Sequence, residues 1–132
     1  MSIYSEDWVR TKIKDYLINN GYRITHESKG REHGVDLKGY HPKLCRYYFV
    51  EVKPEPQGES RHAMKENYFL DNLAKILLRM CQKNGQYALG FPITYKDKVK
   101  KLPLEIRKKL RVDVFFVSKQ GRVTKLPYYK PL

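Results

Sequence analysis

The sequence predicts a single α/β domain over residues 1–132, an α+β arrangement with one mixed sheet in the order α-β-β-β-α-β, followed by an added basic helix and a C-terminal strand. Three observations predict it. Apolar residues recur at helical spacing in two long segments, runs of aromatic and β-branched residues of strand length stand between and after them, and Gly or Pro punctuates most junctions. A chain of 132 residues with 41% hydrophobic content supports one core.

From Ser5 to Asn20, Val9, Ile13, Tyr16 and Leu17 form one apolar stripe, and Asn20-Gly21 ends that helix. Tyr22 to His26 and, after the turn Ser28-Lys29-Gly30-Arg31, Gly34 to Tyr40 have the composition and length of strands. Tyr47 to Lys53 is a third, stopped by Pro54, which has no N–H for a ladder. The short connections favour an antiparallel meander. Two prolines and a glycine between Pro54 and Glu59 predict an exposed, mobile loop. A long helix from Ser60 to Asn84 follows, closed by Gly85, with Phe69, Leu73, Ile76, Leu77 and Met80 on an apolar face. Lys65, Asn72, Lys75 and Arg79 make its polar, mostly basic face. Gln86 to Ile93 reads as a buried strand, Tyr95 to Leu110 as a basic helical region broken near Pro103, and Val112 to Val117 as another buried strand. A hairpin at Gln120-Gly121 leads into a short strand, Arg122 to Leu126.

With 27 Lys and Arg against 14 Asp and Glu, the net charge of +13 predicts a polyanionic partner, a nucleic acid or an acidic surface. A neutral small substrate would leave that charge unexplained. No apolar run approaches the roughly 20 residues that span a bilayer, and no basic-then-apolar leader opens the chain, so a soluble, cytoplasmic protein with no membrane partner is expected. Cys45 and Cys81 are too few and too far apart for a disulfide framework or a zinc site, and are expected to be ordinary buried thiols. His26, His33, His41 and His62 lack the spacing of a metal cluster; His33 and His62 stand near the expected cleft.

The chemistry concentrates on the third strand. Side chains alternate between faces, so Phe49, Glu51 and Lys53 share one side and Tyr48, Val50 and Val52 the other. A Glu and a Lys in so apolar a strand are costly unless neutralised, and a bound cation would neutralise the carboxylate. Asp36, in the preceding strand, comes beside Glu51 if the register allows. Two carboxylates and a lysine then converge. Hard carboxylate oxygens suit Mg²⁺ or Mn²⁺, which would polarise a phosphodiester and acidify a bound water, while the lysine orients that water and offsets developing charge.

Gly34-Val35-Asp36 followed by Glu51-Val52-Lys53, within this order of elements, resembles the PD-(D/E)xK nuclease superfamily of restriction endonuclease-like and Holliday-junction-resolvase-like enzymes. The resemblance covers about the first two-thirds of the chain. It implies a restriction-endonuclease-like core and a Mg²⁺-dependent endonuclease (Mn²⁺ substituting), acting on DNA. Asp36 and Glu51 would be metal ligands, the Val52 carbonyl a further ligand and Lys53 the catalytic lysine. Val35 stands where the superfamily's proline is usual. Some branches add an acid from the first helix, and Glu6, two turns before Ile13 and close to the same face, is that candidate for catalysis and metal contact.

Other readings stay open. Glu51 and Lys53 could line a solvated sheet face, Asp36 could end a strand, and Glu6 could serve only the helix dipole. Lys65, Lys75 and Arg79, with Lys100, Lys101 and Lys108 from the cluster between Lys96 and Arg111, are the nucleic-acid-binding candidates against a merely solvated surface. Tyr128 and Tyr129 could stack on unpaired bases or pack on the domain. The alternatives to an active enzyme are an inactive nucleic-acid-binding module and a subunit that cuts only within a homodimer or larger DNA-processing assembly.

Overall fold

The computed structural model describes residues 3–28, 34–80 and 84–132; His33, Cys81 and part of the turn after Ser28 lie outside them. The expected order is present. Helix α1 (Glu6–Asn19) is followed by strands β1 (Arg23–Glu27), β2 (Leu37–His41) and β3 (Arg46–Val52), then helix α2 (Arg61–Leu78) and strand β4 (Gly85–Pro92). The basic region is a 3-10 turn (Ile93–Tyr95) with two short helices, α3 (Lys96–Val99) and α4 (Leu104–Leu110), parted at Pro103 as its ring requires. Strands β5 (Val112–Val117) and β6 (Val123–Leu126) complete the sheet.

The strands lie side by side in chain order. β1, β2 and β3 form the antiparallel meander, β3, β4 and β5 run parallel through their helical crossovers, and β6 returns antiparallel on β5. Alternation splits the core. Tyr48, Val50 and Val52 pack with Val9, Ile13 and Leu17 under α1, while Phe49, Leu89 and Val114 pack with Phe69 and Ile76 of α2 and Val99 of α3. The sheet is therefore covered on both faces, and β5 is buried throughout.

Helix α1 starts because Ser5 Oγ accepts the Trp8 N–H at 3.1 Å. It stops in a Schellman turn: Gly21, at φ 93°, and Tyr22 donate to the Ile18 and Leu17 carbonyls. Three expectations are corrected. Helix α2 ends at Leu78, so Gly85 opens β4 and does not close the helix. The loop after β3 is anchored in its first half: Glu55 N–H reaches the Tyr4 carbonyl at 3.0 Å, the Tyr95 hydroxyl donates to the Pro54 carbonyl at 2.8 Å, and Pro56 is buried. Cys45 is exposed, because it occupies a left-handed loop position between β2 and β3. Among the described residues no helix is long and apolar enough to cross a membrane.

Candidate active site

The β2/β3 ladder sets the geometry. Leu37 pairs with Val50, and the same register carried one residue outward sets Asp36 across from Glu51. Opposite residues of an antiparallel pair share a face, here the one under α2, since Phe49 packs with Phe69 and Ile76. Because β2 begins only at Leu37, the Val52 N–H has no strand partner there, and Asp36 Oδ2 accepts it at 2.7 Å. A residue's N–H and C=O leave a strand on the same edge, so the Val52 carbonyl is directed to the side of Asp36.

Glu51 is 1% exposed, an unusual depth for a carboxylate. Its carboxyl hydrogen-bonds to Asp36, and Arg79 Nε donates to Oε1 at 3.2 Å. Its backbone carbonyl accepts from the buried Asn72 Nδ2 at 2.9 Å. Burial first, then the charge and hydrogen bond of Asp36, push the Glu51 carboxyl up to about 8, and Arg79 opposes this only in part. In the absence of a cation, Glu51 therefore holds a proton at neutral pH.

Lys53 lies two residues on, on the same face. Its Nζ sits 2.5 Å from Asp71 Oδ2 and 5.4 Å from the centre of the Tyr68 ring. Lys75 shares Asp71 at 3.3 Å. Burial alone would lower the Lys75 ammonium, but Asp71, Asp36 and Glu51 together raise it. The Lys53 contact in turn holds the Asp71 carboxyl below its usual range. The polar face of α2 is thus turned onto the two acids, and Asp71, Lys75 and Arg79 line up there because residues four apart share a helix side.

Glu6 approaches from the start of α1, which the Tyr4 to Glu55 hydrogen bond ties to the exit of β3. Its side chain is exposed, yet partial desolvation and then the charge of Asp36 raise its carboxyl. Among the described residues no group of three His, Cys, Asp or Glu stands close enough to hold an ion together, so the structure brings Asp36 and Glu51 into a pair and leaves Glu6 at its rim.

The other predicted residues fall in different places. Lys65 is tethered, its Nζ 2.8 Å from the Thr94 carbonyl and 3.4 Å from Glu55. Arg79 and Lys75 stand at the carboxyl pair. Lys100 and Lys101 are exposed between α3 and α4, and Lys108 is exposed on α4 beside Glu105 at 3.6 Å. Sequence reading missed Asp71 as the partner of Lys53 and Asn72 as the brace of Glu51. The signal for Asp71 was its place four residues before Lys75, one turn earlier on the same side.

No family model matches the chain, and no curated protein does. Solved structures do match. An XisH family protein from Nostoc punctiforme superposes with a TM-score of 0.57 at 18% identity, over 92% of this chain and 99% of its own. An FdxN element excision controlling factor protein from Anabaena variabilis superposes with a TM-score of 0.56 at 19% identity, over 91% and 98%. At these identities the likeness establishes a shared fold.

Proposed function

We propose that this chain is a divalent-cation-dependent endonuclease of the PD-(D/E)xK kind acting on DNA. The observation that carries the reading is the buried Glu51 carboxyl set against Asp36, with Lys53 next along the same face. Two acids in contact inside a domain need a proton or a cation between them, and a pair of hard oxygens at the open end of a strand fits Mg²⁺ or Mn²⁺. Asp36, Glu51 and the Val52 carbonyl would hold it, with Glu6 bearing on its outer water. When bound, such an ion polarises the phosphodiester and lowers the pKa of a water.

The chain's own residues do the rest. Lys53, steadied by Asp71, presents an ammonium on the Glu51 face, where it orients the attacking water and offsets charge growing on the phosphate oxygens. Arg79 occupies Glu51 when no cation does, and turns to the substrate phosphate when one arrives. Lys75 adds positive charge beside the same acids. A neighbour of the same fold is named for controlling the excision of an element, which is in keeping with strand cutting.

One observation favours a second reading. Arg79 already holds the Glu51 carboxyl, as it would in a nucleic-acid-binding module that had given up catalysis. Incubating the protein with supercoiled, branched and single-stranded DNA and with RNA, in Mg²⁺ or Mn²⁺, separates the two. Cleavage abolished by EDTA, by Asp36→Ala and by Lys53→Ala is expected; tight, salt-sensitive binding with no cleavage in either metal would instead establish the binding module, or an enzyme that cuts only as a homodimer or within a larger assembly.

A further inference from the structure

At the opposite end of the sheet, where β3, β4 and β5 begin, lies a cavity of about 300 Å³ lined by Arg46, Asn84, Gly85, Gln86, Arg111 and Tyr128. Arg46 stands five residues before Glu51 on β3, roughly 16 Å away along an extended strand. This cavity is therefore separate from the carboxyl pair.

Three independent features mark it. The first is unspent charge: neither Arg46 nor Arg111 makes a salt bridge among the described residues, and the one hydrogen bond of the Arg46 side chain goes to the Tyr22 hydroxyl at 3.3 Å. The acid that feels the Arg46 charge, Asp113, is buried and already engaged by the Tyr48 hydroxyl, by the Tyr128 N–H at 2.8 Å and by Lys125 at 3.9 Å. The second is backbone strain. Arg111 caps α4 in the left-handed conformation, φ 55° and ψ 47°, a position that glycine fills at no cost and a long side chain fills at about 1 kcal/mol. The third is an orphan acceptor, since Gln86 Oε1 is buried with no hydrogen-bond partner.

We propose that this cavity binds a nucleotide. The guanidinium groups of Arg46 and Arg111 take its phosphate in the forked geometry that suits phosphate oxygens. The Gln86 side chain, whose Oε1 is buried in the free protein, turns that oxygen to a base N–H or exocyclic amine, and the Tyr128 ring offers a stacking surface. The cavity, about 300 Å³, is at the small end of the range of ligand sites, and the nucleotide it takes is free or at the unpaired end of a strand. The cavity would bind its ligand whether or not the carboxyl pair is catalytic.

The test is a calorimetric and NMR titration of the intact chain with deoxynucleoside monophosphates, with the matching nucleosides, with inorganic phosphate, and with a single-stranded oligonucleotide carrying a terminal phosphate. The variants are Arg111→Gly, Arg46→Ala and, as a control at the other end, Asp36→Ala. Arg111→Gly is the informative one, because removing the left-handed strain raises Tm while removing the phosphate partner. The expected result is nucleotide binding that shifts the Gln86 side-chain amide and weakens at least tenfold in Arg111→Gly and in Arg46→Ala but not in Asp36→Ala. Equal affinity for mononucleotide and oligonucleotide identifies a free nucleotide as the ligand, and binding of the oligonucleotide alone identifies a strand end. Inorganic phosphate binding as tightly as the nucleotide, binding unchanged in both arginine variants, or no binding at millimolar concentration overturns the proposal.

Discussion

Glu51 is a carboxyl that the fold has removed from water before supplying it with a cation, and its protonation follows from that. Its folded-state value near 8 lies above the ordinary 4.5, because burial and Asp36 disfavour the charge more than Arg79 favours it. The folded protein therefore binds a proton that the unfolded chain releases between those values. The stability this confers is full below about pH 4.5 and is lost as pH rises through about 8, a loss on the order of 5 kcal/mol across the window. In EDTA, the Tm of the wild-type chain should fall between pH 5 and pH 8.5, and Glu51→Gln, which cannot ionise, should flatten that fall. A wild-type profile parallel to that of Glu51→Gln across the window would sink the assignment. Lys53 makes a second case at this scale. Asp71→Asn removes the charge that steadies its ammonium without touching Asp36 or Glu51. Cleavage is expected to drop about tenfold while Mn²⁺ affinity, read by calorimetry, stays put.

Helix α2 carries the polar groups that tune the pair. Arg79 is the residue on which the apo and loaded states compete, since Glu51 cannot bind both its guanidinium and a cation at the same oxygen. Arg79→Ala should bind Mn²⁺ several-fold more tightly by titration and yet cleave more slowly, a split that a merely structural arginine would not produce. It should also cost on the order of 1–3 kcal/mol of metal-free stability at pH 8, where the buried Glu51 loses its guanidinium partner. This helix also shows how much could be read in advance. Its existence, its core residues Phe69 and Ile76, and the grouping of Asn72, Lys75 and Arg79 on one side follow from a 3.6-residue period. Which way that side faces does not. Basic residues on a helix usually look to solvent, and only the buried charge on β3 turns these inward, a contact between segments twenty and more residues apart that no local pattern encodes. Leu77, read as core, is 41% exposed for the same reason: the helix is rotated to bring Asn72, fully buried, under Glu51. On β3 the pattern sufficed, because strict alternation already put Glu51 and Lys53 on one face. The register that sets Asp36 opposite Glu51 was beyond it, being fixed by a loop whose length is visible but whose path is not.

The whole molecule is a sheet covered on both faces, with the Asp36–Glu51 pair at one end of it and a net charge of +13 over the chain. Charge of that size acts on nucleic acid by releasing counterions, and only side chains free to reach a phosphate take part. The structure divides the predicted basic residues on this criterion. Lys100, Lys101 and Lys108 are exposed on the α3 and α4 segment, whereas Lys65 is held by Thr94 and Glu55 and packs 5.0 Å from the centre of the Tyr95 ring. Replacing the three exposed lysines together by alanine should weaken DNA binding and flatten the plot of log affinity against log salt by about 0.9 per lysine that touches a phosphate, up to nearly 3 for the set. Tm should hardly change, because exposed lysines contribute little to stability. Lys65→Ala should do the reverse: the salt slope stays as in the wild type while Tm falls, because the anchor between α2 and the loop after β3 is lost. Fluorescence titrations across a range of salt concentrations, paired with melting curves, read both quantities on the same samples. If Lys65→Ala flattened the slope as much as the triple variant did, selection by exposure would fail, and the charge would have to be treated as a diffuse field in which position does not matter.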